Sequence, residues 1–184
     1  MPRALPRLAA LAITAAMLGL AACAAQSPEP TPAPTTDAAD APLFATDEEA
    51  LAAAVAAYEA HLAATAGILS GEQPVDAIRE VSSREYGEQR VSELTAFLDS
   101  GLRASGSIAI DSTSLVETYV EDDGTAVSIY ACQDVSGTTL LNADGKDVTP
   151  PDRDERVPLV LQFRESSGAL KVSGNELWSG DDFC

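Results

Sequence analysis

The segment that follows Thr46 alternates apolar and polar positions with the period of an α-helix. Its large apolar residues recur at steps of three, four and seven, which places them on one helix face at about 100° per residue. Thr46 and Glu49 have the spacing of a capping box, and Gly71 and Pro74 are typical of a helix end. The pattern predicts a helix that begins after Thr46 and has as its core stripe Leu51, Val55, Tyr58, Leu62 and Leu69.

Two further helices are predicted before the middle of the chain. A short one spans Val75 to about Val81, with apolar residues at steps of three. A longer one spans about Arg84 to Arg103 and is followed by Gly106. The core stripe of this longer helix is Val91, Leu94, Phe97 and Leu98.

The second half of the chain changes to short runs rich in β-branched and apolar residues, separated by turn dipeptides such as Asp123-Gly124 and Ser167-Gly168. Because connections this short join antiparallel neighbours, we expect a meander. Helices followed by an antiparallel sheet define the α+β class. The predicted strands are Ile108 to Asp111, Leu115 to Glu121, Thr125 to Val135, Thr138 to Leu141, Val157 to Arg164 and Ala169 to about Trp178.

The first residues have the pattern of an export signal. Arg3 and Arg7 precede an apolar run from Leu8 to Ala22, which is too short to cross a hydrocarbon core of about 30 Å comfortably. The run ends in Leu20-Ala21-Ala22-Cys23, which resembles the lipobox of bacterial lipoprotein signals. The resemblance implies that residues 1–22 are removed and that Cys23 is diacylated, and two acyl chains suffice for stable anchoring. The alternative is an ordinary secretory signal whose cleavage site includes a cysteine.

Residues 23–42 have the composition of a tether. Five of the 11 prolines of the chain fall in this stretch, which has no large apolar side chain and cannot bury enough surface to fold. Residues 43–184 remain, and they are sufficient for one domain with a single core.

Once Cys23 carries lipid, Cys132 and Cys184 remain. An even pair in an exported, oxidising compartment predicts a disulfide, which would also explain why the sequence ends on a cysteine. The alternative is two reduced, buried thiols. A metal site is not expected, because two distant cysteines and one distant histidine make no ligand cluster.

The chain is strongly acidic, with a formal net charge of −18. Removal of residues 1–22 takes away two arginines and leaves nine Lys and Arg against 29 Asp and Glu, a charge of about −20. This excludes nucleic acid as an expected partner, because phosphate binding needs clustered Lys and Arg. The acidity favours a cationic partner or serves solubility alone.

The order of three N-terminal helices and a later antiparallel sheet, within about 140 residues, resembles the NTF2-like fold, a cystatin-like cone. The chain is also similar to small actinobacterial lipoproteins that carry such a domain behind a lipobox and a Pro/Thr-rich tether. In NTF2-like proteins the helices pack across the concave face of the sheet and leave a pocket. Members include isomerases, cyclases and noncatalytic binding modules, so the fold alone does not choose the function.

Few residues suggest catalysis. His61, the single histidine, lies beside the predicted apolar stripe and is expected at the boundary between packed and solvated positions. Neither a Gly-x-Ser-x-Gly elbow nor a His-Glu-x-x-His motif occurs in the sequence, so a serine or zinc hydrolase is not expected. No cofactor is predicted.

Tyr130, Cys132 and Asp134 share one face of their predicted strand. In an NTF2-like cone, a phenol beside a carboxylate supports proton transfer or oxyanion stabilisation, although a disulfide at Cys132 would occupy the space between them. Tyr58 and Trp178 are further candidates for lining a pocket, and the alternative for these aromatic residues is a place in the core.

The sequence thus gives one leading hypothesis and one alternative. The leading hypothesis is a noncatalytic lipoprotein, held through Cys23 on the extracytoplasmic side of the cell membrane, whose domain binds an envelope protein or a small ligand. The alternative is a membrane-anchored isomerase or cyclase that uses Tyr130 and Asp134.

Overall fold

The structure is a computed structural model and describes residues 43–121 and 124–184. The signal peptide, Cys23 and the tether predicted for residues 1–42 lie outside the described residues. The helical elements are α1 (Asp47–Ser70), a 3-10 helix (Val75–Val81) and α2 (Arg84–Asp99). The strands are β1 (Arg103–Gly106), β2 (Ala109–Glu121), β3 (Gly124–Asp134), β4 (Thr138–Leu141), β5 (Arg156–Ser166) and β6 (Ala169–Leu177).

Helix α1 begins and ends where the sequence predicts. Thr46 is the N-cap, and its Oγ1 accepts a hydrogen bond from the amide of Glu49 at 3.2 Å. The Glu49 carboxylate accepts from the amide of Ala45 at 2.8 Å, so the reciprocal half of the capping box is displaced by one residue. At the other end Gly71 has φ +85°, a left-handed conformation that glycine adopts without a Cβ penalty.

The buried face of α1 differs from the predicted stripe. Tyr58 and Leu62 are buried as predicted, whereas Leu51, Val55 and Leu69 are only half-buried. Alanine side chains let the helix axis approach the sheet closely, so the larger aliphatic residues lie on the flanks of the contact. The centre of the buried face is Ala50, Ala54, Tyr58, His61, Thr65 and Ile68.

The main sheet is antiparallel, with strand order β2-β3-β5-β6. The expected meander of consecutive neighbours is therefore wrong at β4, which pairs with β1 in a separate two-stranded sheet. Arg103, predicted as the end of the third helix, is instead the first residue of β1. Helix α2 ends at Asp99, and Gly101 turns the chain with φ +81° before β1 begins.

The two strands predicted between Ile108 and Glu121 are one strand, β2. Its pairing with β3 shifts register between Asp111 and Ser114 and again between Leu115 and Glu117. Such irregularities bend a strand and increase its twist, which contributes to the curvature of the sheet.

The core lies between α1 and one face of the sheet, which we call the inner face. On β3 this face carries Val127, Ile129 and Ala131, and the opposite, outer face carries Tyr130, Cys132 and Asp134. Opposite Ile129 on β5 is Leu161, which is fully buried. A second, smaller core joins α1 to the 3-10 helix and α2 through Ala64, Ile68, Ile78 and Leu94.

The molecule is therefore α+β, with helices packed on a curved antiparallel sheet, as the sequence predicts. In the described part of the chain, α1 alone has the length and apolar composition of a membrane-spanning helix. Its buried face packs against the sheet, which is also the arrangement of a core helix in a globular domain.

Candidate functional site

A polar cleft of about 1010 Å³ opens where the start of α2 lies near the ends of β2 and β5 and the middle of β6. None of the described residues that line the cleft has an aliphatic side chain, so these walls offer hydrogen-bond donors, acceptors and charges. The lining residues are Ser83, Arg84, Glu85, Tyr86, Gln89, Glu121, Arg164 and Ser173.

Among the described residues that line the polar cleft, two arginines face two glutamates. Arg164 pairs with Glu121, whereas Arg84 and Glu85 have no ion-pair partner among the residues that the structure describes. A ligand that enters the cleft therefore meets one cation and one anion that are available for pairing.

Next to the cleft lies a group that we call the His61 cluster, in which Tyr58, His61 and Ser82 are buried and Tyr86 and Arg90 are half-buried. His61 is only 3% exposed, and its ring stacks between those of Tyr58 and Tyr86 with centroid separations of 5.8 and 5.9 Å. Its Nδ1 lies 3.3 Å from the hydroxyl of the buried Ser82. The expectation that His61 sits at the solvent boundary is thus wrong, because the buried face of α1 is rotated toward it.

The surroundings of His61 hold it neutral. Burial, reinforced by the positive charge of Arg90, lowers the pKa of His61 from 6.5 to about 4. In a catalytic Ser-His pair a carboxylate orients the histidine and stabilises its protonated form. Here the nearby charge is a guanidinium, which opposes protonation, so the contact between Ser82 and His61 lacks the electrostatics of a general base.

The hydroxyl of Tyr58 makes two hydrogen bonds to residues of the sheet. Its hydroxyl donates to Oε1 of Gln133 at 2.8 Å and accepts from Nδ2 of Asn175 at 2.7 Å. Burial raises the pKa of Tyr58 well above its usual value, and burial likewise raises the pKa of Tyr86. Both phenols are therefore neutral at physiological pH, and Tyr58 joins α1 to the inner faces of β3 and β6.

Tyr130 and Asp134 lie on the outer face of the sheet, away from α1. The Tyr130 ring contacts the rings of Trp178 and Phe183, with centroids 5.0 and 5.7 Å apart. Asp134 accepts from the amide of Ser136 at 2.8 Å and faces Arg156 at 3.5 Å. The hydrogen bonds from Ser136 make the largest contribution to lowering the pKa of Asp134, and the positive charge of Arg156 lowers it further.

The four candidates for a shared pocket are therefore not brought together. Tyr58 is on the inner side, whereas Tyr130, Asp134 and Trp178 belong to the outer side. The pocket interpretation assumed that the face of β3 bearing Tyr130 is covered by helices. The structure corrects this, because alternation along β3 turns Ile129, Ala131 and Gln133 toward α1 instead.

Cys132 and Cys184 meet at disulfide-bonding distance, with Cα atoms 5.4 Å apart and a sequence separation of 52. Cys132 is fully buried on the outer face. The carbonyl of Cys184 also accepts from Nε of Arg156, whose guanidinium bonds Asp111 at 2.7 Å. The end of the chain thus lies across the outer face of the sheet.

No group of three His, Cys, Asp or Glu side chains suited to a metal ion occurs within residues 43–121 and 124–184.

Sequence reasoning missed the His61 cluster and the polar cleft. One signal for His61 was present, since Ala50, Ala54, Tyr58, His61 and Thr65 are separated by steps of four, four, three and four. The predicted core stripe contained only large apolar residues and left out the alanines, so this helix face was not recognised. The residues of the cleft come from distant parts of the chain, and no local pattern links them.

Comparison of the sequence with protein-family models gives no match, and comparison with curated proteins gives none either. Similar solved structures include the intermembrane space region of the chloroplast protein ARC6, with a TM-score of 0.44 at 12% identity, covering 68% of this chain and 97% of that one. The Kfla4162 protein from Kribbella flavida has a TM-score of 0.43 at 12% identity, with 72% and 91% covered. Aln2 from a Streptomyces species has a TM-score of 0.41 at 15% identity, with 71% and 90% covered.

Proposed function

We propose that the protein is a membrane-anchored lipoprotein of the cell envelope whose NTF2-like domain is a noncatalytic binding module. The Leu20-Ala21-Ala22-Cys23 motif supports the anchor, and the proline-rich residues 23–42 support a tether that holds the domain away from the membrane. The pairing of N-terminal helices with one face of an antiparallel sheet supports the NTF2-like assignment.

The polar cleft is the observation that carries the binding function. Large side chains such as Tyr58, Ile129, Leu161 and Phe163 fill the interior between α1 and the sheet, so a ligand would bind in a surface opening, and the polar cleft offers about 1010 Å³. Its lining fits a polar ligand, either a small molecule or a hydrophilic segment of an envelope protein.

The noncatalytic part of the proposal rests on the electrostatics of His61. The only histidine has a lowered pKa and a cationic neighbour, a poor arrangement for a general base at neutral pH. The alternative of an isomerase or cyclase is not favoured, because Tyr130 contacts Trp178 and Asp134 is held by Ser136 and Arg156 on the outer face.

The anchor is tested by the intact mass of the protein isolated from membranes, with Cys23→Ala as the comparison. The wild type should begin at Cys23 with the added mass of two acyl chains, and the variant should lose both the lipid and the membrane association. A wild-type chain without lipid would contradict the anchor.

The cleft is tested by a photo-crosslinking amino acid placed at Gln89, which lines the cleft, in living cells. A matched probe at Asp144, an exposed turn residue away from the cleft, is the control. A specific adduct from Gln89 alone, lost with Arg84→Glu, supports the proposal. Equal labelling from both positions would contradict it.

A further inference from the structure

Strand β2 is an open edge of the main sheet. The order β2-β3-β5-β6 pairs it with β3 on one side, and no described residue pairs with it on the other. The opposite edge, β6, is partly closed, because Ser82 forms a bridge with Val172 and the amide of Ser83 donates to the Val172 carbonyl at 2.8 Å. An open edge strand is a template for a further strand.

The exposed apolar residues of the described chain concentrate on this edge. Three of the six large hydrophobic residues that are exposed belong to β2, namely Val116, Tyr119 and Val120, and Val120 is 73% exposed. The register shifts that disturb the strand all precede Glu117, so Glu117–Glu121 pairs regularly with β3. The end of β2 is therefore both regular and uncovered.

The backbone of Val120 faces the open edge. Its partner in the ladder is Thr125, whose amide turns away from β2 and lies 3.3 Å from Oε2 of Glu165. Opposite residues in an antiparallel pair either exchange both hydrogen bonds or direct both sets of groups outward. The amide and carbonyl of Val120 consequently point to the free side, where an added strand would bind.

The acidic residues of the β2 edge indicate the charge that a partner segment should carry. Within β2 the charged residues are Asp111, Glu117 and Glu121, with no lysine or arginine, and two more carboxylates, Asp122 and Asp123, follow in the sequence. Glu121 pairs with Arg164, whereas Glu117 has no ion-pair partner in the described part of the chain.

We propose that the Glu117–Glu121 edge binds an extended, cationic segment of a partner protein, which adds to the sheet as a fifth strand. Main-chain hydrogen bonds to Val120 supply affinity, and side chains at alternating positions supply selectivity. A lysine or arginine of the segment lies beside Glu117, and an apolar residue on the other face packs on Val120. The proposal does not require a ligand in the polar cleft.

A second copy of the chain is a poorer occupant. Each copy, without residues 1–22, would bring the same acidic strand and a net charge of about −20 to the contact, and like charges facing each other across a ladder are destabilising. A basic segment has the complementary charge.

The experiment uses the membrane-extracted chain in nonionic detergent and a labelled, end-blocked heptapeptide of alternating lysine and valine. Fluorescence anisotropy at physiological salt measures its affinity. The same peptide with N-methyl groups on alternate residues cannot complete the ladder but keeps its charge, so it should bind at least about tenfold more weakly.

Two test variants and one control variant separate strand addition from general electrostatic attraction. Glu117→Lys should weaken binding about tenfold, because an opposite-charge pair becomes a like-charge pair, whereas Glu176→Lys on β6 makes the same charge change at an exposed position and should have little effect. Val120→Pro removes the outward amide and should also weaken binding, and its circular dichroism melt checks folding.

Equal binding of the N-methylated peptide would overturn the proposal, and so would equal losses in Glu117→Lys and Glu176→Lys or no binding at all. A dimer of the wild-type chain that Val120→Pro dissociates would assign the edge to a second copy instead. If Val120→Pro fails to fold, the N-methylated peptide still decides the matter.

Discussion

His61 is the residue whose burial has the clearest consequence for stability. Its pKa is 6.5 in the unfolded chain and about 4 in the folded protein. Between these two values the unfolded chain binds a proton that the folded chain does not, so the free energy of unfolding falls as the pH falls through this window. The contribution of His61 is fully present above pH 6.5, and at pH 4 we expect the protein to have lost up to about 3 kcal/mol.

Urea unfolding of the wild type and His61→Gln across this pH window tests the prediction. The variant cannot titrate there, so its stability should change less with pH, and the difference between the two proteins should shrink toward pH 4. If the free energy of unfolding changed equally with pH in both proteins, His61 would be solvated and its pKa would be the same in the folded and unfolded chain. Carboxylates affect both proteins equally and cancel in the difference.

Tyr58 offers a second test at the same scale. Tyr58→Phe removes a hydroxyl that connects Gln133 to Asn175, and we expect a loss of about 1 kcal/mol in the free energy of unfolding. Tyr86→Phe is the matched control, because no described residue hydrogen-bonds the Tyr86 hydroxyl. Thermal unfolding of both variants should show a lower midpoint for Tyr58→Phe only; equal midpoints would contradict the structural role of Tyr58.

At the scale of elements, the pair of β1 and β4 depends on a close approach of two backbones. Gly106 has φ +95°, and a Cβ there would overlap the carbonyl oxygen of Gly137. Gly106→Ala therefore adds a steric clash to the left-handed strain, and we expect a loss of about 2–4 kcal/mol in the free energy of unfolding, measured by chemical denaturation.

Gly145→Ala separates the two causes. Gly145 has φ +74°, but nothing lies within 4 Å of an added Cβ. Only the conformational strain remains, and about 1 kcal/mol should be lost. If the two variants are equally destabilised, the backbones of Gly106 and Gly137 are further apart than the structure has them.

The same elements show how far sequence reasoning reaches. Local signals such as Thr46, Gly71 and the alternation in β5 predicted the ends of α1 and the class of the fold, because capping and strand alternation depend on near neighbours. The pairing of β1 with β4 was not predictable in this way, since it depends on residues more than 30 positions apart. The polar cleft was missed for the same reason.

At the scale of the whole molecule, the end of the chain is fixed to the middle of the sheet. Cys184 meets Cys132 across 52 positions, and the aromatic rings of Trp178 and Phe183 cover Tyr130 between them. Closing a loop of this length restricts the unfolded chain far more than the folded one. The tail and the sheet therefore form one cooperative unit as long as the two sulfurs are bonded.

Reduction should lower the free energy of unfolding of the wild type by about 4 kcal/mol, the chain-entropy value for a loop of this length. The comparison is Cys184→Ser, which should have the stability of the reduced wild type and should not respond to reductant. Intact mass after alkylation reports how many thiols are free at each step. A wild type that keeps its unfolding midpoint while both thiols become alkylated would mean that contacts of Tyr130 and Arg156, and not the covalent loop, hold the tail on the outer face. A midpoint that falls to that of Cys184→Ser would assign the stability of the closed form to the bond between Cys132 and Cys184.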